Sequence, residues 1–572
     1  MNFFKKLLLA AVPVIVMSAC SDYDELLINP NGVDPSQADA ESLYNNIQLE
    51  FNDIQNDPYF LTAGLSRMDA LTAGFVYPET HAPTDFDGMW QDIYADFLPD
   101  ANAFIDLVEP LGIDGAAASV KIMKAYVYML AADLFNNVPV DEAGQGAADD
   151  GGNINPVANA GPEVYQRAMS LLDEAITQLD GASNFDIAFD NFYGGNVGRW
   201  TTLAKTLKLR AAITTRLVNG TGEIQSLVDG GDLIDANNEN FEWTYGSNRN
   251  NPNNRHPFYN DSYEEPDPTY QSNWFMWLMS ESKGFVDPRT RYYFYRQNRD
   301  VWEGAVEEDP NAFDCIYTDL PNPDAIPPHY EAISDDMPYC LGSYDLSYFG
   351  RDHLNGSGIP PDGQYRTIFG LYPAGGIFDN GVNNGERGTD GTSGALGAGI
   401  EPIWQASFTH FVLAEAALTT DFDGDARALL SAGIKLSMDR VTAFETLVDG
   451  GEVIATVPTE VTVSDTYVSD STVQVYIDYV MDEYDDADES DKLAIVAREY
   501  MIALFGNGLE AYNLYRRTCL PANMQPGIDP NYGNFIRSFL YPSVYVNRNL
   551  NAVQRSTEEP VFWDTNEAGC AY

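Results

Sequence analysis

The sequence predicts a mainly α-helical protein in which a tetratricopeptide-like helical scaffold carries a large loop-rich inserted lobe. Four Ala-rich stretches with helical apolar periodicity support the scaffold: 120–139, 193–216, 408–417 and 497–517. The segment 219–402 between them is rich in Asn, Pro, Gly and aromatic residues and has no such periodicity. Non-periodic connections of this length are usually functional or disordered, and the aromatic content argues against disorder. We therefore expect one helical body with a long insertion.

The N-terminus has the pattern of a lipoprotein signal peptide. Lys5 and Lys6 precede a short apolar run at 7–17, and Ser18-Ala19-Cys20 follows it. Such a run is typical of a secretory signal and is too short for a permanent membrane span. We predict that residues 1–19 are the signal peptide, that Cys20 is lipidated and that residues 20–41 form a tether. The membrane would then hold the chain by its lipid anchor only.

Residues 42–572 are predicted to form one domain made of a helical scaffold, a loop-rich lobe and a tail. The helical scaffold is assigned to 42–218 and 403–517, the loop-rich lobe to 219–402 and a C-terminal tail to 518–572. Helices are predicted at 90–108, 120–135, 163–179, 200–218, 403–417, 426–438, 474–484 and 492–505. The helix at 163–179 follows Gly161-Pro162, a favourable helix start. Pro78 and Pro83 interrupt any helix over 77–86, which is predicted to be a surface loop.

The charge excludes one class of partner. The chain has 86 acidic and 31 basic residues and a formal net charge of −55. Such a surface repels nucleic acid, so no nucleic-acid role is expected. The acidity also favours a neutral ligand over a polyanionic one.

Four cysteines remain if Cys20 carries lipid: Cys315, Cys340, Cys519 and Cys570. An even number in an exported chain indicates two disulfides, for which three connectivities exist. Pairing between sequence neighbours is preferred, and Cys519–Cys570 would fix the C-terminal tail.

Several short motifs, taken in their order along the chain, resemble those of the SusD/RagB family of surface lipoproteins, specifically its SusD-like subgroup. The matching segments are 90–94, 125–126, 133–139, 193–195 with Trp200, 207–210, 287–289, 414–416, 508–511, 515–518, 537–542 and 561–564. The resemblance implies a tetratricopeptide-like scaffold that docks on a SusC-like TonB-dependent outer-membrane transporter. It also implies a nutrient-binding protein at the cell surface, lipid-anchored in the outer membrane, that takes an oligosaccharide or, in some members, a peptide. It implies no enzymatic activity.

Candidate ligand-binding residues come from two aromatic loops. Sugar capture needs aromatic faces beside hydrogen-bonding side chains. The loop 77–86 offers Tyr77, and the segment 256–277 offers five more candidates: Tyr259, Tyr263, Tyr270, Asn273 and Trp274. For each aromatic taken alone, packing beneath the loop is the competing interpretation. Trp90 and Trp200 are expected in the core.

Motifs for catalysis or cofactor binding are missing from the sequence: it has no GxSxG, P-loop, HExxH or GxGxxG. The segment 350–353 with Asp362 could hold a ligand or cation, but a hydrogen-bonded loop core is favoured. The acidic stretch 421–425 resembles a calcium loop, but Ala426 and Ala432 replace the Gly and Glu that such a loop requires. A helix start is expected there instead. No cofactor is expected, although the oxygen-rich loops leave room for a structural calcium ion.

Three functions stay open from the sequence. The first is capture of an oligosaccharide and its delivery to the transporter. The second is binding of a peptide, in which case an extended groove should replace the aromatic platform. The third is a docking or assembly subunit of an outer-membrane complex without a small ligand. Burial of the aromatics between Tyr263 and Trp274 would favour the third.

Overall fold

The computed structural model describes residues 39–144, 153–182, 185–220, 222–266, 268–297, 326–343, 346–356, 363, 365–379, 390–447, 470–566 and 570. Cys20, Cys315 and Asp362 lie outside these ranges. Within them the fold is mainly α-helical, as the sequence predicts. No helix in the described ranges has both the length and the apolar character needed to cross a membrane.

The longer helices are numbered along the chain. They are α1 (Ala40–Thr62), α2 (Leu98–Val108), α3 (Asp114–Phe135), α4 (Gly161–Gly181), α5 (Val197–Thr214), α6 (Gly222–Asp229), α7 (Pro257–Glu264), α8 (Asn273–Leu278), α9 (Ala406–Thr419), α10 (Ala426–Thr442), α11 (Asp470–Asp486), α12 (Glu489–Ala503) and α13 (Gly508–Thr518). Single-turn helices lie at Tyr77–Thr80, Asp87–Gln91, Arg216–Asn219, Thr290–Tyr293, Pro328–Glu331 and Ser543–Val546. Five shorter or irregular helices lie at Pro83–Phe86, Asp92–Phe97, Glu109–Leu111, Asn237–Glu239 and Ala443–Leu447, with a further turn at Glu281–Lys283.

Helix α3 is the centre of the first helical group. It is buried on nearly all sides, because its Ala residues let neighbouring helices approach closely. It packs against α1, α2, α4 and α5. The α3–α4 pair is antiparallel: Lys121 near the start of α3 pairs with Glu174 late in α4, and Val138 pairs with Asn159 at the opposite end. Consecutive antiparallel helices of this kind form the tetratricopeptide-like scaffold.

A second helical group is formed by α9 to α12, and α13 returns to pack on α1. The expected helix start at 421–425 is confirmed, since the Asp425 side chain caps α10 by accepting a hydrogen bond from the Ala428 amide at 3.0 Å. The helix predicted from Ile403 begins later. Residues Ile400–Trp404 form a strand, and α9 begins at Ala406.

The strands form two small antiparallel ladders. Strand β1 (Phe241–Thr244) pairs with β4 (Ile400–Trp404), and β2 (Phe294–Arg296) pairs with β3 (Thr367–Phe369). The first apolar residues of the predicted helix 403–417 are extended because they pair with β1. Pro402, within β4, is also unfavourable in a helix interior. Both ladders anchor the loop-rich lobe to the helices.

The loop predicted at 77–86 is partly helical. Tyr77–Thr80 and Pro83–Phe86 are single helical turns, each with a Pro at its first or second position. A proline is compatible with the first turn of a helix because the amide it lacks has no partner there in any case. Trp90 and Trp200 are buried, as expected.

The tail is fastened to the scaffold covalently and by hydrogen bonds. A disulfide joins Cys519 to Cys570. Trp563 is fully buried, and its indole donates to Asp133 of α3 at 2.9 Å. Phe539 donates its amide to the Leu134 carbonyl. The tail is therefore part of the core although it has little regular structure.

Candidate functional site

The six candidate ligand residues are buried in the structure. Their side chains are between 0% and 6% exposed: Tyr77, Tyr259, Tyr263, Tyr270, Asn273 and Trp274. These six positions therefore form no exposed platform in the structure, and ligand contact by any of them stays a prediction. Packing beneath the loops, the competing interpretation, is what the structure shows.

Three tyrosine hydroxyls in this set form hydrogen bonds with other groups of the protein. Tyr259 donates to the Ser393 carbonyl at 2.8 Å, and Tyr263 donates to the Phe369 carbonyl at 2.7 Å. The Tyr77 hydroxyl lies 3.0 Å from Nε2 of His353. Buried tyrosines keep a polar group that must be satisfied, and these groups tie loops together.

The remaining candidates also stabilise loops. The ring of Tyr270 contacts the guanidinium groups of Arg351 and Arg366, whose central carbons lie 4.5 and 4.0 Å from the ring centroid. Asn273 donates to Asp352 at 3.0 Å, and the Gln525 amide donates to the same carboxylate oxygen at 2.8 Å. The hydrogen-bonded loop core expected at 350–353 is thus confirmed, with amide donors on Asp352.

A ligand-sized groove lies where the α11–α12 hairpin faces the loop after α13. Its volume is about 620 Å³, within the range of small-molecule sites. The hairpin, the turn after α8 and the loop 521–523 supply its polar and apolar lining: Ser282, Glu483, Asp486, Ala487, Asp491, Ala494, Ile495, Arg498, Pro521, Ala522 and Asn523. Carboxylates, an amide and a hydroxyl can bond sugar hydroxyls, while the Ala, Ile and Pro side chains can contact sugar C–H groups.

Ion pairs hold one wall of the groove in place. Arg498 binds both carboxylate oxygens of Glu483 at 2.7 Å and contacts Glu499 at 3.1 Å. Burial alone would lower the pKa of Arg498, but its contacts with Glu483 and Glu499 outweigh burial and raise it above its ordinary value. Arg498 therefore stays charged and keeps α11 and α12 in register.

A buried charge network continues beneath this wall. Glu499 accepts from the Tyr476 hydroxyl at 2.7 Å and lies 3.4 Å from Arg289. Lys283, next to the groove residue Ser282, lies 3.1 Å from Asp287. Such a network fixes the groove residues before any ligand arrives, which lowers the ordering cost of binding.

One of the predicted residues supports the groove from behind. The indole of Trp274 donates to the Asn523 carbonyl at 2.7 Å, and Asn523 lines the groove.

An exposed aromatic residue lies close to the groove residues of α11. Tyr479 is 36% exposed and lies one helical turn before Glu483. Its hydroxyl donates to the Lys283 carbonyl, and its ring lies 4.9 Å from that of Phe285.

The groove residues were missed by the sequence analysis. They come from three separate segments, 282, 483–498 and 521–523, and no local motif connects Ser282, Asp491 and Asn523. The one available signal was the density of acidic residues in 482–491. No three His, Cys, Asp or Glu side chains form a metal-binding group within the described ranges, so a structural calcium ion stays a prediction.

Family comparisons identify the fold independently of the groove. Residues 33–311 match a family described as starch-binding and associating with the outer membrane. Residues 399–558 match the family described as SusD and RagB outer membrane lipoprotein. Among curated protein sequences, none matches this chain.

Solved structures of similar fold cover nearly the whole chain. A SusD/RagB family protein from Bacteroides thetaiotaomicron is 16% identical, with a TM-score of 0.62, over 92% of this chain and 99% of that one. A chitin-binding SusD homolog from Flavobacterium johnsoniae is 18% identical, with a TM-score of 0.57, over the same shares of the two chains. Another structure, named a chitin-binding protein, is 16% identical with a TM-score of 0.62, over 92% of this chain and 100% of that one. The chain belongs to the SusD/RagB family of outer-membrane lipoproteins, which are nutrient-binding proteins.

Proposed function

We propose that this protein captures an oligosaccharide at the cell surface and delivers it to a SusC-like TonB-dependent transporter. The observation that carries the proposal is the groove of about 620 Å³, which combines hydrogen-bonding and apolar side chains on a rigid wall. The two relatives named as chitin-binding support a glycan as the ligand class. The protein would bind its ligand without cleaving it.

The experiment is a binding screen with a variant that fills the groove. Residues 21–572, without the lipid anchor, are tested against a panel of oligosaccharides by affinity electrophoresis and calorimetry. Ala494 lies in the groove and is only partly buried. We expect Ala494→Trp to abolish glycan binding because the indole occupies the groove, whereas Ala494→Ser at the same position should bind like the wild type. Unchanged binding by Ala494→Trp would move the ligand site elsewhere.

A second candidate is a docking subunit of an outer-membrane complex that has no small ligand. It is favoured by the burial of all six predicted ligand residues, including Tyr263, Tyr270 and Trp274. Purification from the native membrane tests it, because a docking subunit should bring down a barrel partner while the soluble protein fails to bind any glycan. Binding of one glycan that is lost in Ala494→Trp would exclude this candidate.

A further inference from the structure

The groove lies beside an acidic stretch of the chain. Residues 482–491, which span the end of α11, the turn and the start of α12, have the sequence DEYDDADESD, in which seven of ten residues are acidic. Acidic residues at a surface usually only keep a protein soluble. The partners of each carboxylate decide whether this stretch is different.

Four of the seven carboxylates have a partner. Glu483 pairs with Arg498, Asp485 with Arg427 at 2.7 Å and Glu489 with Lys492 at 2.9 Å. Asp488 caps α12 by accepting hydrogen bonds from the Ser490 and Asp491 amides. The remaining three, Asp482, Asp486 and Asp491, form no ion pair among the described residues, although the charge of Asp482 acts on Arg427.

Two of these three carboxylates line the groove. Asp486 and Asp491 are both exposed, and both face the cavity. Together with Glu483 and Arg498, the lining therefore carries three negative charges and one positive charge. Asp486 also lies at the C-terminal end of α11, where the helix dipole disfavours a negative charge. A positive group in the groove would relieve both kinds of repulsion.

We propose that the ligand is an oligosaccharide of amino sugars that carries free, protonated amines. This inference rests on the proposed function, since it names the class of glycan that the groove takes. Ammonium groups would pair with Asp486 and Asp491, while Ser282 and Asn523 bond hydroxyls and Ala494 and Ile495 contact the ring faces. A neutral glycan could use the hydroxyl partners and the apolar strip but would leave the two carboxylates unpaired.

Calorimetry compares three hexamers at about pH 5, which lies above the ordinary pKa of aspartate and below that of a sugar amine. The probes are glucosamine hexamer, N-acetylglucosamine hexamer and glucose hexamer, with hexalysine as a non-sugar cation. Two partly screened ion pairs predict that glucosamine hexamer binds about tenfold more tightly than its acetylated form. The preference should shrink at high salt.

Charge-neutral variants at the groove locate the effect. Asp486→Asn with Asp491→Asn should lower the affinity for glucosamine hexamer about tenfold and remove the preference. Asp482→Asn is the control for the Asp486→Asn half of this change, because it also removes one charge from the end of α11 but does not line the groove. All three positions are exposed, so the variants should fold, which circular dichroism checks.

The outcomes separate the two proposals. Equal or tighter binding of N-acetylglucosamine or glucose hexamer would overturn the amino-sugar inference and leave oligosaccharide capture standing. Binding of hexalysine alone, sensitive to the same double variant, would overturn the inference in favour of a cationic peptide. If none of the four probes binds and the wider glycan panel is also silent, both the inference and the proposed function fail.

Discussion

Arg210 and Asp133 form an ion pair at 2.8 Å in the centre of the scaffold, with both side chains at most 1% exposed. Arg210 also binds Glu510 of α13 at 2.6 Å. Tyr165, Asn513 and Trp563 donate to the same Asp133 carboxylate at 2.6, 3.0 and 2.9 Å. One carboxylate of α3 thus connects α4, α5, α13 and the C-terminal tail.

Asp133→Asn should destabilise the protein strongly. The amide keeps the shape of the carboxylate but leaves the buried Arg210 with one anion instead of two, and breaking a buried pair costs about 3–5 kcal/mol. The free energy of unfolding from urea titration measures this loss. Asp173→Asn is the control, because Asp173 pairs with Lys208 at the surface, where an ion pair contributes about 0–1 kcal/mol. Equal losses in both variants would contradict a central role for Asp133.

The motifs that made the family recognisable are largely this kind of buried charge. Asp133, Arg210 and Glu510 lie in three of the matching segments, and Glu415 with Arg517, paired at 2.9 Å, lie in two more. A buried ion pair constrains residue identity, so these positions could be recognised from the sequence alone. The helical scaffold was predictable for the related reason that apolar periodicity and Ala-rich crossings are local patterns.

The site was less predictable because its residues are distant in the chain. Ser282, Asp491 and Asn523 meet only through the packing of α8, the α11–α12 hairpin and the loop after α13. The aromatic residues of 256–277 misled the prediction, since a tyrosine that ties a loop to the core and one that binds a sugar have the same sequence context. Their backbone partners, such as the Phe369 carbonyl for Tyr263, become visible only in the structure.

Trp274 should act on stability first and on binding only through Asn523. Trp274→Ala leaves a large cavity in the core and should cost about 3–5 kcal/mol. Trp274→Phe retains most of the packing but loses the hydrogen bond to the Asn523 carbonyl, so it should cost about 1 kcal/mol and weaken glycan binding modestly. Unfolding and calorimetric titration of both variants separate the two effects. A stable Trp274→Ala protein that has lost binding would instead place Trp274 in contact with the ligand.

The Cys519–Cys570 disulfide should contribute to stability by restricting the unfolded chain. Its cysteines are 51 residues apart, and closing a loop of that length is worth up to about 4 kcal/mol. The double variant Cys519→Ser with Cys570→Ser should therefore unfold at lower urea concentration. Reductant added to this double variant also tests the predicted Cys315–Cys340 pair, because a further loss of stability requires a second disulfide. No further loss would argue against that pair.

Two rows of acidic residues face each other, one on α1 and one on the segment 92–100. Glu50 and Asp57 on α1 lie opposite Asp100 and Asp92. Burial, followed by the nearby charges of Asp100 and Asp96, raises the pKa of Glu50 to about 8, and burial and Asp92 raise the pKa of Asp57 to about 7. When both carboxyl groups of a facing pair ionise, Glu50 with Asp100 or Asp57 with Asp92, the repulsion between their like charges opposes folding.

Because the folded protein holds these protons more tightly than the unfolded chain, its stability should fall as pH rises from about 4.5 to about 8 and then level off. Glu50→Gln cannot ionise, so it should be more stable than the wild type by about 1 kcal/mol at pH 8, after allowance for solvent screening, and equal to it near pH 4. Urea titrations at both pH values measure the difference. Glu558→Gln, at an exposed position of the tail, is the control for replacing a glutamate that is not buried. If Glu50→Gln gained equally at both pH values, its effect would come from packing and not from the proton.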